Sequence, residues 1–346
     1  MINKAAFLID KMSYEVREAP MPVLKNDDDL LIKIEYVGIC GADIDMWHLG
    51  RYGIFNVEYP KIIGHEAAGV VVEAGKNVKN LKAGDKVALE PGVPCGKCNP
   101  CIQGNYNLCS GVVFKGAPPV EGCNQQYVIH PAQWCFNIPE RMSTREGALL
   151  EPLAVGMHVA NQGGVKVCDV VAINGAGTIG LCTLSACKAK GATKIISIDS
   201  SPVRLAAAAG LGATTIDFFK ENPIDKVMEL TGGIGADVVI EASGNAKAFK
   251  DCPHMAKAGG VISCVGLGPE PVIEIDYQAT IYKELTIKTS CRYRNEYPCC
   301  IEGVASGIIN TEGIITHEYT LDDIQKGYEF AFNNKDKAIK TIINLK

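Results

Sequence analysis

Residues 170–180 read VVAINGAGTIG and residues 194–199 read KIISID. The first run opens on five mostly apolar residues bounded by a glycine-rich turn, which predicts a strand, and residues 178–190 carry helical character. Gly175, Gly177 and Gly180 have G-x-G-x-x-G spacing. In such a turn the first glycine permits the sharp reversal, the second lets backbone approach a pyrophosphate, and the third lets helix pack close to strand. The helix N-terminus then favours the phosphate charge. Three glycines alone are a weak signal, and a turn that binds nothing is the plainer alternative. The context sharpens the signal, because Asp199 ends the next strand, 22 residues after Gly177. A carboxylate there accepts from a ribose 2′-hydroxyl and repels a 2′-phosphate, so the expected cofactor is NAD rather than NADP. Thr178 and Ile179 at the helix start, with Arg204, Val265 and Gly266, are the further expected cofactor contacts.

Beyond this turn, strand-like runs keep alternating with helical ones. Residues 201–210 read as helix, and 237–241 (DVVIE), 260–266 (GVISCVG) and 284–288 (ELTIK) as strands. Alternation of this kind predicts a parallel sheet with helices on both faces. The first 150 residues have another texture: short β-type runs at 30–37 (LLIKIEYV), 69–73 (GVVVE), 86–89 and 126–130, punctuated by Gly, Pro and Asn. That pattern predicts an all-β barrel or sandwich. A length of 346 residues favours two domains. The last 50 residues show a helix near 297–307, a charged helix and a final strand at 338–345, with no affiliation legible from pattern.

Net charge is −5 and no basic run of five residues exists, so the electrostatic footprint of a nucleic-acid binder or polybasic membrane patch is missing. No uncharged apolar run reaches the length of a membrane span, and the N-terminal residues lack a signal-type apolar region. A reducing, cytoplasmic location is therefore expected. Fifteen cysteines is an odd number, which excludes a fully paired disulfide set within one chain. Four of them, Cys95, Cys98, Cys101 and Cys109, form C-x2-C-x2-C-x7-C in a lobe at about 93–112. Two-residue gaps let thiolates converge on one ion, and four sulfurs suit tetrahedral zinc; an iron–sulfur cluster is the competing reading. A closed four-cysteine set has no open position for substrate, so this metal is structural.

The β-rich half also holds Gly38-Ile-Cys40-Gly-Ala-Asp43 and Gly64-His65-Glu66. Cys, His and a carboxylate are credible ligands of a catalytic zinc, although each alone reads as a buried structural residue. Taken together, these motifs resemble the zinc-dependent medium-chain dehydrogenase family. Glu151-Pro-Leu-Ala-Val-Gly-Met-His158 and Arg292-Tyr-Arg-Asn-Glu-Tyr-Pro298 are similar to its sorbitol (polyol) dehydrogenase branch. The resemblance runs over essentially the whole chain.

It implies an α/β two-domain fold. A GroES-like β-barrel catalytic domain would take residues 1–152 and 293–346, and a Rossmann NAD-binding domain residues 153–292, with the active site between them. Cys40, His65 and Glu66 would hold the catalytic zinc, Glu151 would act as a further ligand or through water, and Asp43 would buttress the site. Arg292 and Tyr293 would hydrogen-bond hydroxyls of a polyol or diol, in a homotetramer. One departure stands out: Ala42 occupies a position where relatives carry Ser or Thr as a proton relay, leaving Glu66, Glu151, Asp45 or His48 for that task. The implied reaction is hydride transfer from a polyol secondary alcohol to NAD, giving a ketose. A 2,3-butanediol, L-threonine or polyol-phosphate dehydrogenase is the alternative, and a non-catalytic NAD-binding regulatory protein the remoter one.

Overall fold

The strand Val170–Asn174 takes a central place in a six-stranded sheet whose paired strands are all parallel. Across the sheet the strands run Thr214–Asp217, Lys194–Asp199, Val170–Asn174, Ala236–Glu241, Ala256–Cys264 and Thr286–Thr289. In chain order this is third, second, first, fourth, fifth, sixth, the doubly wound Rossmann order, with its switch point between Val170–Asn174 and Ala236–Glu241. Val171, Ala172 and Ile173 are fully buried, which explains why the strand reads as an unbroken apolar run. Helices follow the strands at Thr178–Ala189, Pro202–Gly210, Pro223–Leu230 and Ala246–Met255. Ser201, Asn222 and Asn245 cap three of them by accepting backbone N–H groups, and Pro202 and Pro223 stand in the first turn, where a missing N–H costs nothing.

The computed structural model describes residues 2–53, 55–269 and 271–346. Contacts divide the chain into two units, one of residues up to Glu151 with Ile315–Lys346, the other Pro152–Ile314. The first unit holds a seven-stranded sheet in the order Cys135–Asn137, Lys86–Leu89, Glu66–Ala74, Asp29–Gly38, Lys340–Asn344, Ile315–Thr320, with Tyr127–Pro131 also on Asp29–Gly38. Asp29–Gly38 is the hub. It pairs antiparallel with Glu66–Ala74 on one side, and with Tyr127–Pro131 and then Lys340–Asn344 on the other. Its core gathers Leu8, Ile32, Ile34, Trp47, Val87 and Tyr328, all without solvent exposure. Among the described residues no helix is long and apolar enough to cross a membrane.

One boundary differs from expectation. Residues 293–314 belong with the Rossmann unit rather than with the β-rich one. The helix Tyr297–Ala305 buries Tyr297, Cys300 and Ile301; Asn161 Nδ2 donates to both Glu296 oxygens at 3.0 Å, and Ser185 Oγ donates to the Asn310 carbonyl at 2.7 Å. Those partners lie more than 100 residues away, beyond the reach of pattern reading.

His130, on the strand Tyr127–Pro131, is fully buried and donates from Nε2 to the Glu90 carbonyl at 2.8 Å. Burial, assisted by the Lys115 charge, pulls its pKa down to about 3. The unfolded chain protonates this imidazole near pH 6.5, so the unfolded state binds the extra proton between about pH 6.5 and 3 and stability falls as pH drops through that window. The expected loss is about 2 kcal/mol by pH 5. Urea unfolding of wild type and His130→Gln at pH 7 and 5 checks this: the variant loses most of that pH dependence.

Candidate metal and cofactor sites

Strand pairing assembles the first cluster. Glu66 begins its strand directly opposite Gly38, and two residues past Gly38 the chain reaches Cys40, the N-cap of the helix Gly41–Leu49. The ligand atoms of Cys40, His65 and Glu66 lie within 4.8 Å of one another. Asp43, fully buried, accepts the Cys40 backbone N–H on Oδ2 at 3.0 Å, and its Oδ1 stands 3.3 Å from His65 Nδ1. One carboxylate thus fixes both the turn that carries the thiol and the imidazole. Burial opposes charge on His65, but the Asp43 carboxylate and then Cys40 outweigh it and hold the pKa well above the usual histidine range. Burial pushes the Cys40 thiol up, with His65 partly offsetting it. Ligands must be deprotonated, so metal uptake here releases protons.

A thiol, an imidazole and a carboxylate converging in a buried site suit zinc, and three protein ligands leave a coordination position open. Glu151 is buried in the first turn of the helix Leu150–Gln162 but stands outside that three-residue group. The residue that sequence reading missed is Lys340, whose Nζ meets both Glu66 oxygens at 2.7 and 2.8 Å. A lysine opening the short strand-like run KTIIN was the available signal.

The second cluster lies in a lobe closed at its base by antiparallel strands Gly92–Val93 and Val113–Phe114. Cys98 caps the short helix Asn99–Ile102, which carries Cys101. Cys98 and Cys101 sulfurs are 3.3 Å apart, Cys109 Sγ accepts the Cys95 N–H at 3.3 Å, and the four sulfurs lie within 4.8 Å of one another. A tetrahedron of zinc–sulfur bonds of about 2.3 Å sets sulfurs about 3.8 Å apart, so the set fits one ion. Backbone N–H groups of Lys97 and Cys98 draw the Cys95 thiol down to about 6, toward the thiolate a metal requires. All fifteen cysteines are free thiols.

In the Rossmann unit the glycine turn has the expected form. Gly175 adopts φ +94°, in the left-handed region, and a Cβ on Gly180 would fall on the Gly175 carbonyl oxygen. Gly177 caps the helix Thr178–Ala189, and the space beside its Cα is open, which leaves backbone approachable. Asp199 does more than end its strand. Its Oδ2 accepts the Ala176 N–H at 2.8 Å, its Oδ1 accepts those of Ser200 and Ser201, and Arg204 Nη1 stands 3.7 Å away. Gly175, Asp199, Arg204, Ser243, Asn245 and Lys247 are among the residues lining a cleft of about 340 Å³. Val265 and Gly266 donate backbone N–H groups to the Glu241 carbonyl, at 2.9 and 3.0 Å. The buried Glu241 carboxylate accepts from Ser243 and Gly244 and shapes the loop beside that cleft; sequence reading missed it as well as Ser243 and Lys247. Their signal was the SGN run, residues 243–245, after a strand at the switch point.

Arg292 (φ 53°) is half-buried and Tyr293 buried against Tyr297, with ring centroids 5.7 Å apart. Both belong to the Rossmann unit, whereas Cys40, His65 and Glu66 belong to the β-rich one.

A fold of this order carrying a three-ligand metal cluster and a dinucleotide turn defines a metal-dependent dehydrogenase, and comparison with known proteins agrees. The alcohol dehydrogenase GroES-like domain matches residues 26–140, and the zinc-binding dehydrogenase domain matches residues 178–306. The chain is 41% identical to an uncharacterised zinc-type alcohol dehydrogenase-like protein of Escherichia coli, covering 100% of this chain and 99% of that one. It is 38% identical to the sorbitol dehydrogenase of Bacillus subtilis, covering 98% and 96%. A solved Escherichia coli oxidoreductase/dehydrogenase of unknown specificity superposes with a TM-score of 0.95 at 40% identity, over 100% of both chains. The chain belongs to the zinc-binding alcohol dehydrogenase family, in its medium-chain branch, and is an oxidoreductase of that class; the family's cofactors are zinc and NAD(P).

Elemental analysis of the purified protein is expected to find two zinc ions per chain. Cys98→Ser should lower that to one and reduce Tm while leaving NAD binding intact. A loss of 2 kcal/mol corresponds to about 4–8 °C in a unit of this size. A variant with wild-type Tm and lost turnover would instead make the lobe catalytic.

Proposed function

We propose that this enzyme oxidises a secondary alcohol of a sorbitol- or xylitol-like polyol to the ketose, with NAD as hydride acceptor. The observation that carries this reading is the convergence of Cys40, His65 and Glu66 on a chain that also bears the dinucleotide turn. The polyol branch is supported by the 38% identity to a sorbitol dehydrogenase and by the Glu151–His158 and Arg292–Pro298 motifs.

Cys40, His65 and Glu66 would hold the catalytic zinc, which when bound supplies Lewis-acid polarisation of the substrate oxygen. Asp43 holds His65 and the Cys40 turn in register. The glycine turn and the N-terminus of Thr178–Ala189 bind the cofactor pyrophosphate. Asp199 accepts from the adenosine ribose, and its charge disfavours a 2′-phosphate, although Arg204 nearby tempers that preference. Arg292 and Tyr293 donate hydrogen bonds to further hydroxyls of the polyol. Ala42 cannot carry a proton, Asp45 is exposed to solvent, and both Glu66 oxygens face Lys340. The buried carboxylate of Glu151 is the group left to take the proton.

The assembly is a homotetramer in the cytoplasm. Self-association is supported by the edge strand Thr286–Thr289, exposed along its length, and by exposed Tyr277, Ile281 and Tyr282 on the helix before it. Unpaired edge strands are ready templates for a second copy. The free thiols suit a reducing compartment.

A panel of sorbitol, xylitol, butanediol and threonine with NAD⁺ and NADP⁺ side by side tests the reading. The expected outcome is NADH formation with polyols, a kcat/KM for NAD⁺ exceeding that for NADP⁺, and loss of activity on chelation. No turnover of any polyol by zinc-loaded enzyme would sink it. Light scattering after size exclusion is expected to give four times the chain mass.

A further inference from the structure

The ion pair between Glu66 and Lys340 is buried, and ligation of a metal by Glu66 does not account for it. Lys340 Nζ lies 2.8 Å from Glu66 Oε1 and 2.7 Å from Oε2, and donates a third bond, 2.9 Å long, to the Ile39 carbonyl. Side-chain exposure is 2% for Glu66 and 4% for Lys340. All three ammonium donors are therefore in use. The sheet explains the meeting. Gly38 stands between Glu66 on one neighbouring strand and Ile342 on the other. A Cβ on Gly38 would fall on Glu66 Oε2, so the glycine leaves open the path by which the carboxylate crosses to Lys340. The Ile39 carbonyl directly precedes Cys40, so one ammonium ties together the two backbone segments that present Cys40 and Glu66.

We propose that Lys340 is a positioning residue of the metal site: a built-in counter-ion that holds Glu66 in the metal-free chain and limits the negative charge Glu66 lends to the ion. The inference rests on Cys40, His65 and Glu66 being the zinc ligands. A buried carboxylate that loses its partner is strongly destabilising. Lys340 stabilises the metal-free state, and whatever stabilises the free state weakens ligand binding by linkage. Its fixed charge also opposes an incoming cation, and oxygens already accepting from an ammonium are poorer donors. The site therefore holds zinc less tightly than its ligand set alone dictates, and keeps the ion a stronger Lewis acid.

The test uses the full-length protein and the variants K340M, K340R and E66Q/K340M. Zinc affinity is read by chelator competition, Tm is taken with and without zinc, and polyol turnover is followed alongside. K340M is expected to bind zinc at the Glu66 site about tenfold or more tighter. Its Tm gap between zinc-loaded and metal-free protein should widen while kcat falls; K340R returns affinity and gap toward wild type. A lysine serving the fold alone would lower zinc affinity and turnover together; that result, or an unchanged affinity, overturns the proposal. Should K340M fold only with zinc, the widened gap has reached its limit and the proposal stands. Should it fold in neither state, E66Q/K340M, which removes both charges, is expected to fold, and its failure overturns the idea. Wild type with a single zinc, traced to the cysteine lobe by Cys98→Ser, sinks the ligand reading itself. Two zincs with unaltered K340M affinity sink only the role of Lys340.

Discussion

Much of the β-rich unit depends on how three strands register at Gly38. Pairing of Asp29–Gly38 with Glu66–Ala74 places Glu66 beside Gly38, and pairing with Lys340–Asn344 places Ile342 on its other side. A one-residue slip would turn every side chain of a strand to the opposite face. The buried alternation through Leu30, Ile32 and Ile34 resists such a slip, because it would expose the core face of the hub strand. The metal cluster therefore inherits its precision from hydrophobic packing several residues away. Cys40 then needs only the turn into the helix Gly41–Leu49, and Asp43, one turn later, bonds back to the Cys40 N–H.

The charges packed into this corner obey the same constraint. Asp43, His65, Glu66 and Lys340 are all buried, and each lies within 3.3 Å of an oppositely charged or hydrogen-bonding partner. Burying ions unpaired is far costlier than burying them paired. Asp43 serves His65 and the Cys40 backbone, while Lys340 serves Glu66 and the Ile39 carbonyl. Asp199 plays a comparable part in the other unit. Its carboxylate accepts the Ala176 N–H and so anchors the glycine turn against the neighbouring strand, in addition to the recognition role its position suggests.

What was legible in the sequence was what is local. The G-x-G-x-x-G turn, the C-x2-C-x2-C run and the alternation of strand and helix each act over fewer than about 30 residues, and spacing alone records them. Gly180 is glycine because helix meets strand there, and the structure returns that reason directly. Long-range choices left no such record. Lys340 and Glu66 are 274 residues apart, and nothing in KTIIN announces which carboxylate its lysine meets. The affiliation of residues 293–314 was hidden likewise: the resemblance placed them with the barrel, whereas Glu296 and Asn310 find their partners, Asn161 and Ser185, in the Rossmann unit. The cysteines divide along the same line. Four advertise themselves by spacing, whereas Cys123, Cys135, Cys182 and Cys187 are small apolar fillers of the cores, with burial pushing Cys123 up to about 11 and Cys187 to about 12.

The loss of a hydroxyl at Ala42 bears on how the proton leaves. Relays work by groups that can both give and take a proton within hydrogen-bond reach. His48 falls short because its ring packs on Phe332, with centroids 4.4 Å apart, and its Nδ1 faces Met12 Sδ at 3.4 Å. Glu66 is committed on both oxygens to an ammonium. Glu151 differs from Glu66 in standing outside the ligand cluster while remaining buried, and in the proposed reaction it is the carboxylate assigned to accept the proton. Two glutamates of one chain thus have different surroundings, one held by an ammonium within the ligand cluster and the other buried outside it.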